Sequence, residues 1–205
     1  MAELIVTTFV TLDGVMQAPG APEEDPSGGF THGGWQAPYD DDVAGAFELE
    51  SIGKADAFLL GRRTYDIFAA YWPKYTDASN PIARALNSLP KHVASRTLNE
   101  LTWNKSELVR DVATEVPLLK RRYAKQIKVY GSGKLVRTLL DDDLVDELHL
   151  WIHPVVLGTG ERLFTTGITP TAMKLIAYRV TKPGAIIAIY KPEGRPTYGR
   201  MEDPK

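Results

Sequence analysis

The sequence predicts an α/β domain with a mostly parallel central sheet and helices on both faces. Strand-like and helix-like runs alternate along most of the chain, the pattern of parallel strands joined by crossover helices. Two last strand-like runs, residues 173–180 and 185–191, flank Pro183-Gly184, which predicts a C-terminal antiparallel hairpin. We expect one domain over residues 1–191 and a loose polar tail over residues 192–205.

The composition excludes several functional classes. The chain has 205 residues, 43% of them hydrophobic and 24% charged, which is ordinary for a soluble globular protein. A net charge of −2 gives no basic field for nucleic acid or an anionic membrane. The absence of cysteine excludes disulfides, thiolate metal sites and cysteine nucleophiles, and the four histidines form no metal-binding motif. Because the first strand starts at once and no apolar run reaches membrane-spanning length, we expect a cytoplasmic protein.

A long loop follows the first strand. Residues 4–10 form a compact apolar and threonine-rich run, which the turn Asp13-Gly14 ends. Residues 15–39 are rich in glycine, proline and acidic residues and show no periodic pattern. Loops of this length are active-site lids or mobile surface, and the embedded aromatic Trp35 favours a lid over a ligand.

Residues 40–52 predict a helix, with aspartates at its start and Gly53 at its end. Glu48 and Glu50 are two residues apart and point to nearly opposite sides, so at most one of them can face a ligand. The alternative is that both are solvated, as most helical glutamates are.

The second strand, residues 57–60, runs directly into Gly61, Arg62, Arg63 and Thr64. An amphipathic aromatic helix over residues 65–71 follows. Arginines at a helix N-terminus oppose the helix dipole unless an anion binds there. The junction is therefore a candidate anion site, with solvated loop arginines as the alternative.

Two more strands end in polar residues. The strand at residues 91–95 is followed by Arg96-Thr97. The strand at residues 127–130 breaks at a glycine-rich turn and enters a helix over residues 135–140, which brings backbone N–H groups and a helix dipole together. Because parallel strands end at one edge of a sheet, these ends are expected to converge with the arginine junction.

The glycine-rich turn matches neither standard nucleotide fingerprint. A dinucleotide fingerprint starting at Gly131 needs a third glycine where Val136 stands, and a triphosphate loop needs serine or threonine where Leu135 stands. Spacing alone therefore leaves phosphate binding and an ordinary strand-to-helix turn both open.

Five motifs taken together resemble a known family, the reductase domain of the bacterial bifunctional riboflavin-biosynthesis deaminase-reductase, which shares the dihydrofolate reductase fold. They occur in order along most of residues 4–190, and the last is the most specific. The motifs are T-L-D-G at 11–14, F-L-L-G-R-R-T-Y at 58–65, S-R-T at 95–97, V-Y-G-S-G-K-L at 129–135, and V-D-E-L-H-L-W-I-H-P-V-V-L-G-T-G-E-R-L-F at 145–164.

The resemblance implies a dihydrofolate reductase-like sheet of about eight strands and an NADPH-dependent reductase. The cofactor's phosphates would lie at the start of the arginine-bearing helix, its adenosine end near the third strand, and its pyrophosphate against the glycine-rich turn. The arginine fork would favour NADPH over NADH. The implied cofactor-binding residues are Gly61, Arg62, Arg63, Thr64, Ser95, Arg96, Gly131, Ser132, Gly133, Lys134 and Leu135.

The resemblance also implies hydride transfer to a C=N or C=O carbon, which needs a proton source. Asp13 and Glu48 are the carboxylates we expect near the substrate, although Asp13 is equally suited to capping its turn. The chain lacks the family's zinc deaminase segment, and residues 15–39 lie where a substrate lid would be. A phosphoribosylamino-pyrimidine, a pterin, a folate or another nitrogen heterocycle therefore all stay open as the small-molecule substrate.

Two readings from other functional classes compete with the enzyme. A binding module would hold the dinucleotide without turnover, and a structural dimer subunit would rest only on the apolar C-terminal strands. The resemblance implies a homodimer, because the related reductases pair through their sheets.

Overall fold

The computed structural model describes residues 1–77 and 79–201. One eight-stranded sheet has the order β4-β3-β2-β5-β1-β6-β8-β7. The strands from β4 to β6 pair in parallel, whereas β8 pairs antiparallel with both β6 and β7. The strands are β1 Glu3–Thr11, β2 Ala55–Gly61, β3 Lys91–Ala94, β4 Ser106–Val109, β5 Gln126–Tyr130, β6 Glu147–His153, β7 Met173–Val180 and β8 Ile186–Pro192. The predicted mostly parallel sheet with a C-terminal antiparallel hairpin is confirmed.

Five helices cover the two faces of the sheet, as predicted. Helices α4 and α5 cover a core that includes Leu4, Val6 and Val129, while α1, α2 and α3 lie on the opposite face, where Phe58 and Leu60 point. The helices are α1 Asp42–Ile52, α2 Arg62–Tyr71, α3 Pro81–Ser88, α4 Val112–Arg122 and α5 Gly133–Asp141. In the part of the chain that the structure describes, no helix is long and apolar enough to cross a membrane.

Side-chain caps explain where several helices begin. Asp41 accepts a hydrogen bond from the Ala44 backbone N–H, so α1 starts at Asp42, two residues later than the predicted start at residue 40. Asp111 caps α4 through the Ala113 N–H, and Pro117 lies inside that helix.

Strand β4 was not predicted. Its four residues, Ser106–Val109, carry only two apolar side chains, and the strand forms through its register with β3. At the other end of the sheet β8 extends to Pro192, and the backbone of Glu193 and Gly194 exchanges hydrogen bonds with Ala172. The chain is thus hydrogen-bonded two residues beyond the strand.

Residues 15–39 fold against the carboxyl end of β1 and form a small hydrophobic core of their own. Val15, Phe30 and Trp35 are buried together, and the Trp35 indole N–H donates to the Gln17 carbonyl at 2.8 Å. Two short 3₁₀ turns, Ser27–Gly29 and Ala37–Tyr39, are the only regular elements in this part of the described chain. The loop is therefore ordered by tertiary contacts, which a periodicity analysis does not detect.

Candidate functional site

A cavity of about 530 Å³ opens at the carboxyl ends of β1, β2 and β5. Its walls come from the ends of these strands, the first turns of α2 and α5, and the start of the loop at residues 15–39. Its volume lies in the range typical of small-molecule sites. The cavity is at the sheet edge where open α/β sheets bind ligands.

The two glycine-containing junctions are joined to each other beside this cavity. Thr64 Oγ1 accepts a hydrogen bond from the Ser132 N–H at 3.1 Å, and Ser132 Oγ accepts one from the Gly61 N–H at 2.9 Å. Ser132 adopts the left-handed backbone conformation, with φ of 55°, and its hydroxyl donates to the Tyr130 carbonyl. Each half of the site therefore holds the other in place.

The first turns of α2 and α5 face the cavity without a capping side chain at their starts. Gly61 has no side chain to offer, and the Ser132 hydroxyl is engaged with Tyr130. The N–H groups of a first helical turn carry partial positive charge and are open to an anion when no cap covers them. Two such turns at one cavity make it a candidate anion site.

Five cationic side chains reinforce the positive character of the cavity, and four acidic side chains share its walls. Arg62 donates to Thr97 Oγ1 at 2.9 Å and lies 3.5 Å from Asp66, while Arg63 lies 3.1 Å from Asp25. The cations are Arg62, Arg63, Lys134, Arg137 and Arg162; the acids are Glu24, Asp25, Asp66 and Glu161.

Ser95 and Arg96 lie beside the cavity and do not line it. The Ser95 hydroxyl accepts from the Leu98 N–H at 3.0 Å, and its carbonyl accepts from Arg110 at 2.8 Å. The strand end at residues 95–97 is linked to the junction Gly61–Thr64 through the hydrogen bond between Arg62 and Thr97. The structure thus brings Gly61–Thr64 and Gly131–Leu135 together in the cavity wall, whereas Ser95 and Arg96 are not part of it.

Asp13 is held by its surroundings at the turn after β1. Its carboxylate accepts from the Thr11 hydroxyl at 2.6 Å and from the Leu157 and Gly158 N–H groups, and it pairs with Arg162 at 3.3 Å. The hydrogen bond from Thr11 and those from the two backbone N–H groups lower the pKa of Asp13 well below its usual range. Asp13 stays ionised at neutral pH and links two loops, so it is poorly placed to donate a proton.

Glu48 is in a different environment, between α1 and the sheet. Tyr130, the last residue of β5, lines the cavity and donates its hydroxyl hydrogen to Glu48 Oε1. Burial raises the pKa of Glu48 above its ordinary value, against the opposing effects of the Tyr130 hydrogen bond and the nearby Lys128 charge. The pair therefore places a carboxyl group with a raised pKa directly behind the cavity wall.

Met16 and Asp25 are among the residues that line the cavity and that sequence reasoning missed. Met16 packs on Gly133 so closely that a Cβ at position 133 would collide with the methionine sulfur. Asp25 reaches Arg63 from the loop. Both belong to the loop at residues 15–39, which has no periodic pattern that could have indicated their positions. Trp35, expected in a lid, is buried behind the loop's first residues, which form the wall themselves.

Comparisons with known proteins agree with this geometry. The model of the RibD C-terminal domain family matches residues 2–187. An uncharacterised protein, YyaP of Bacillus subtilis strain 168, is 30% identical over 194 residues, which cover 91% of this chain and 93% of that protein.

Solved structures share the fold at lower identity. A protein assigned provisionally to riboflavin biosynthesis from Shewanella sp. PV-4 superposes with a TM-score of 0.70 at 22% identity, covering 94% of this chain and 99% of that one. A pyrimidine reductase-like protein from Corynebacterium diphtheriae gives 0.61 at 17% identity, covering 93% and 92%. Dihydrofolate reductase from Enterococcus faecalis, complexed with NADP(H) and RAB-propyl, gives 0.59 at 10% identity, covering 93% and 96%. The chain therefore belongs to the RibD C-terminal domain family, the reductase-domain family that its sequence motifs indicate, and has the dihydrofolate reductase fold.

Proposed function

We propose that this protein is an NADPH-dependent reductase that transfers a hydride to a nitrogen heterocycle or a phosphoribosylamino-pyrimidine. The observation that carries the proposal is the meeting of two uncapped helix N-termini and a cluster of arginines at one cavity. That cavity also reaches Tyr130 and, through it, a carboxyl group with a raised pKa. An anionic cofactor and a proton source are thus accommodated side by side.

The residues present fit a dinucleotide. Gly61 and Gly131 let the two junctions pack on each other, since a Cβ at Gly61 would lie 3.3 Å from Ser132 Cβ and one at Gly131 would lie 3.4 Å from Thr64 Oγ1. This packing brings the first turns of α2 and α5 to one cavity, where their N–H groups would hold a pyrophosphate. Arg62, held by Thr97 beside the third strand end, is suited to a ribose phosphate, because a planar guanidinium can bind a phosphate through two parallel hydrogen bonds. This arrangement supports NADPH over NADH.

When bound, NADPH supplies the hydride. The protein's own residues then have three tasks: α2 and α5 fix the phosphates, the loop at residues 15–39 covers the cavity, and Glu48 supplies the proton through Tyr130. For this transfer the Tyr130 hydroxyl hydrogen turns from Glu48 to the substrate; the Tyr130 O–H bond breaks as the substrate nitrogen or oxygen gains that proton, and the protonated Glu48 carboxyl group donates its own proton to the phenol oxygen and becomes a carboxylate. Asp13 acts as a structural link between loops.

A dihydrofolate- or pterin-type reductase is the alternative within the enzymes, since the fold is shared with dihydrofolate reductase. A dinucleotide-binding module without turnover is the alternative outside them. The Glu48–Tyr130 pair favours an enzyme, because cofactor binding alone does not require a buried, proton-bearing carboxyl group behind the cavity.

The test is a titration of the purified protein with NADPH and separately with NADH, followed by tryptophan fluorescence. We expect NADPH to bind more tightly, and Arg62→Ala and Arg63→Ala each to weaken it by about 10-fold or more, because each removes a charge-assisted hydrogen bond. Arg96→Ala tests the neighbouring strand end. Arg84→Ala on the exposed side of α3 is the matched control and should bind like the wild type.

Absence of binding by either nucleotide would refute the proposal. Tight binding with no NADPH oxidation, over a screen of pyrimidine and pterin compounds followed at 340 nm, would favour the binding module. Equal affinity for NADH and NADPH would refute the proposed preference for NADPH but would not contradict the proposed reductase activity.

A further inference from the structure

Met16 lies where the loop at residues 15–39 meets the start of α5. A Cβ built on Gly133 would collide with the Met16 sulfur, so the thioether lies directly against the first residue of that helix. Met16 lines the cavity and is only partly buried, so small solutes reach it from solvent. It also packs against the core on the α5 side of the sheet. A thioether is therefore held between the cavity and a helix N-terminus.

The backbone N–H groups beside this sulfur belong to the uncapped first turn of α5. Residues 133–135 form that turn, whose N–H groups have no intrahelical acceptor. The next N–H along the helix, that of Val136, donates to the Ser132 carbonyl at 2.9 Å. A thioether sulfur is only a weak acceptor, so Met16 does not cap the turn in its reduced form. The turn stays open to an anion.

Two further donors lie on the same side of the cavity. Thr8 is fully buried and lines the cavity, and its Oγ1 has no hydrogen-bond partner among the residues that the structure describes. It shares the α5 side of β1 with Val6 and Val10, since side chains alternate along a strand. Arg137 Nη1 would lie 3.5 Å from the Cβ built on Gly133, and the rest of its guanidinium can donate further. This side of the cavity thus lacks acceptors.

Oxidation of the thioether supplies an acceptor at this place. The sulfur lone pair attacks one oxygen of a peroxide, the S–O bond forms as the O–O bond breaks, and the second oxygen takes the proton of the first and leaves as water. Sulfur loses two electrons, which the peroxide gains. The resulting sulfoxide is polar, and its oxygen accepts hydrogen bonds. Beside the first turn of α5 it would act as the cap that the helix lacks.

We propose that Met16 is an oxidative modification site that controls anion binding at the cavity. In the thioether form the first turn of α5 is open to a ligand phosphate. In the sulfoxide form the sulfoxide oxygen accepts from that turn and competes with the phosphate. A sulfoxide reductase that takes two electrons from a pair of thiols restores the thioether and releases water. The inference rests on the proposed function only for the choice of NADPH as ligand, because the competition concerns any phosphate at this turn.

The other methionines serve as internal controls. The chain has four, all within the part that the structure describes. Met1 and Met201 are 85% and 90% exposed, and Met173 is partly buried at the start of β7. Of the four, Met16 is the one that lines the cavity. A loss of ligand binding after oxidation can therefore be assigned by replacing one methionine at a time.

The experiment treats the full chain with hydrogen peroxide and maps the sulfoxides by peptide mass spectrometry. Isothermal titration calorimetry then measures binding of NADPH and, separately, of inorganic pyrophosphate. We expect the sulfoxide at Met16 to weaken both ligands by about 10-fold or more, because charge-assisted hydrogen bonds are lost. Methionine sulfoxide reductases A and B should restore the affinity. Met16→Leu should show the same affinity before and after peroxide, whereas Met173→Leu should lose affinity as the wild type does.

Amide hydrogen exchange separates capping from damage to the packing. Exchange at residues 133–135 should become slower when Met16 is oxidised, because the N–H groups of the turn gain an acceptor. Loosened packing would make the same exchange faster, since local opening would become easier.

Oxidation of Met16 without loss of affinity for either ligand, an equal loss in Met16→Leu, or faster exchange at residues 133–135 would overturn the inference. A Met16 thioether that resists peroxide in the folded chain, or a wild type that binds neither ligand, would do the same. Binding of pyrophosphate without binding of NADPH is a separate result. It refutes the proposed function, and the pyrophosphate measurements then decide the inference alone.

Discussion

Arg63 Nε lies 3.1 Å from Asp25 Oδ2, so a loop carboxylate forms an ion pair with one of the guanidinium groups that line the cavity. Arg63 is in the first turn of α2, where a phosphate is expected, and Asp25 belongs to the loop at residues 15–39. The Asp25 side chain is only 11% exposed, whereas Arg63 is 56% exposed. The acid is thus held in place by the loop, and the arginine remains accessible from solvent.

Asp25 should therefore compete with the cofactor for Arg63. Replacing it, as Asp25→Asn, keeps the shape and removes the charge, and we expect NADPH to bind about twofold to fivefold more tightly, as is typical for a partly exposed ion pair. The measurement is the NADPH dissociation constant at two salt concentrations, since screening should reduce the gain. Glu23→Gln, a charge loss at an exposed position of the same loop, should have little effect. Weaker binding in Asp25→Asn would show that Asp25 orders the site and does not compete.

The Glu48–Tyr130 pair predicts the pH dependence of turnover. Because burial raises the pKa of Glu48, the carboxyl group keeps its proton at pH values where an exposed glutamate has lost it. The rate constant kcat should be constant on the acidic side of this raised pKa and fall as pH rises through it. Glu48→Gln should lower kcat by about 10²-fold or more and remove the pH dependence, with NADPH affinity unchanged.

Glu50→Gln provides the control, because Glu50 is exposed on the same helix and pairs with Lys54. A flat pH profile in the wild type, or full activity in Glu48→Gln, would exclude Glu48 as the proton source. Tyr130→Phe separates the two members of the pair: it should reduce kcat if the phenol relays the proton and leave it unchanged if Glu48 acts alone.

The sequence predicted the convergence at the site better than the details of its wall. Gly61 and Gly131 interrupt apolar strands and are followed by helices, and the fold brings these two junctions into one wall, joined by Thr64 and Ser132. Strand order alone makes this possible, since β2 and β5 are neighbours. Local pattern was sufficient there because each junction carries its own signal.

The loop side of the site could not be predicted in the same way. Met16 and Asp25 contact the cavity because residues 15–39 fold around Trp35 and Gln17, a tertiary arrangement without a local period.

The buried Lys91 side chain should make the free energy of unfolding depend on pH in alkaline solution. It is fully buried in β3, donates to the Leu86 carbonyl at 2.8 Å and lies 4.3 Å from the Trp103 ring centroid. Burial lowers its pKa from the ordinary 10.5 to about 8. Between these two values the unfolded chain binds a proton that the folded chain does not, so the free energy of unfolding should rise with pH across that window.

Lys91→Met removes this titrating group, and we expect the slope of stability against pH to become smaller in urea unfolding measured at several pH values from about 7.5 to 10.5. Some slope should remain, because burial also lowers the pKa of Lys128 to about 8. Lys74→Met, at an exposed position, should keep the full slope. An unchanged slope in Lys91→Met would mean that Lys91 is neutral or charged to the same extent in both states.

The antiparallel end of the sheet exposes an apolar surface on the side of α4 and α5. Leu175, Tyr178, Val180 and Ile186 are each at least 40% exposed, and the pairing of β7 with β8 puts them on one face. A contiguous apolar surface of this kind on an edge strand is an aggregation hazard unless a partner covers it. We propose that a second copy of the chain covers it, through a two-fold interface in which the same residues face each other.

Tyr178→Asp tests this homodimer by placing a charge in the centre of the proposed interface, where its desolvation would be costly. We expect the wild type to sediment as a dimer in analytical ultracentrifugation and Tyr178→Asp to sediment as a monomer that still binds NADPH, since the cavity lies at β1, β2 and β5. Tyr198→Asp, at an 84% exposed position past the last strand, should remain dimeric. A monomeric wild type, or a dimer that survives Tyr178→Asp together with Val180→Asp, would place the interface elsewhere or remove it. Because the surface is apolar, the dissociation constant of the dimer should depend little on salt, in contrast to NADPH binding at the arginine-lined cavity.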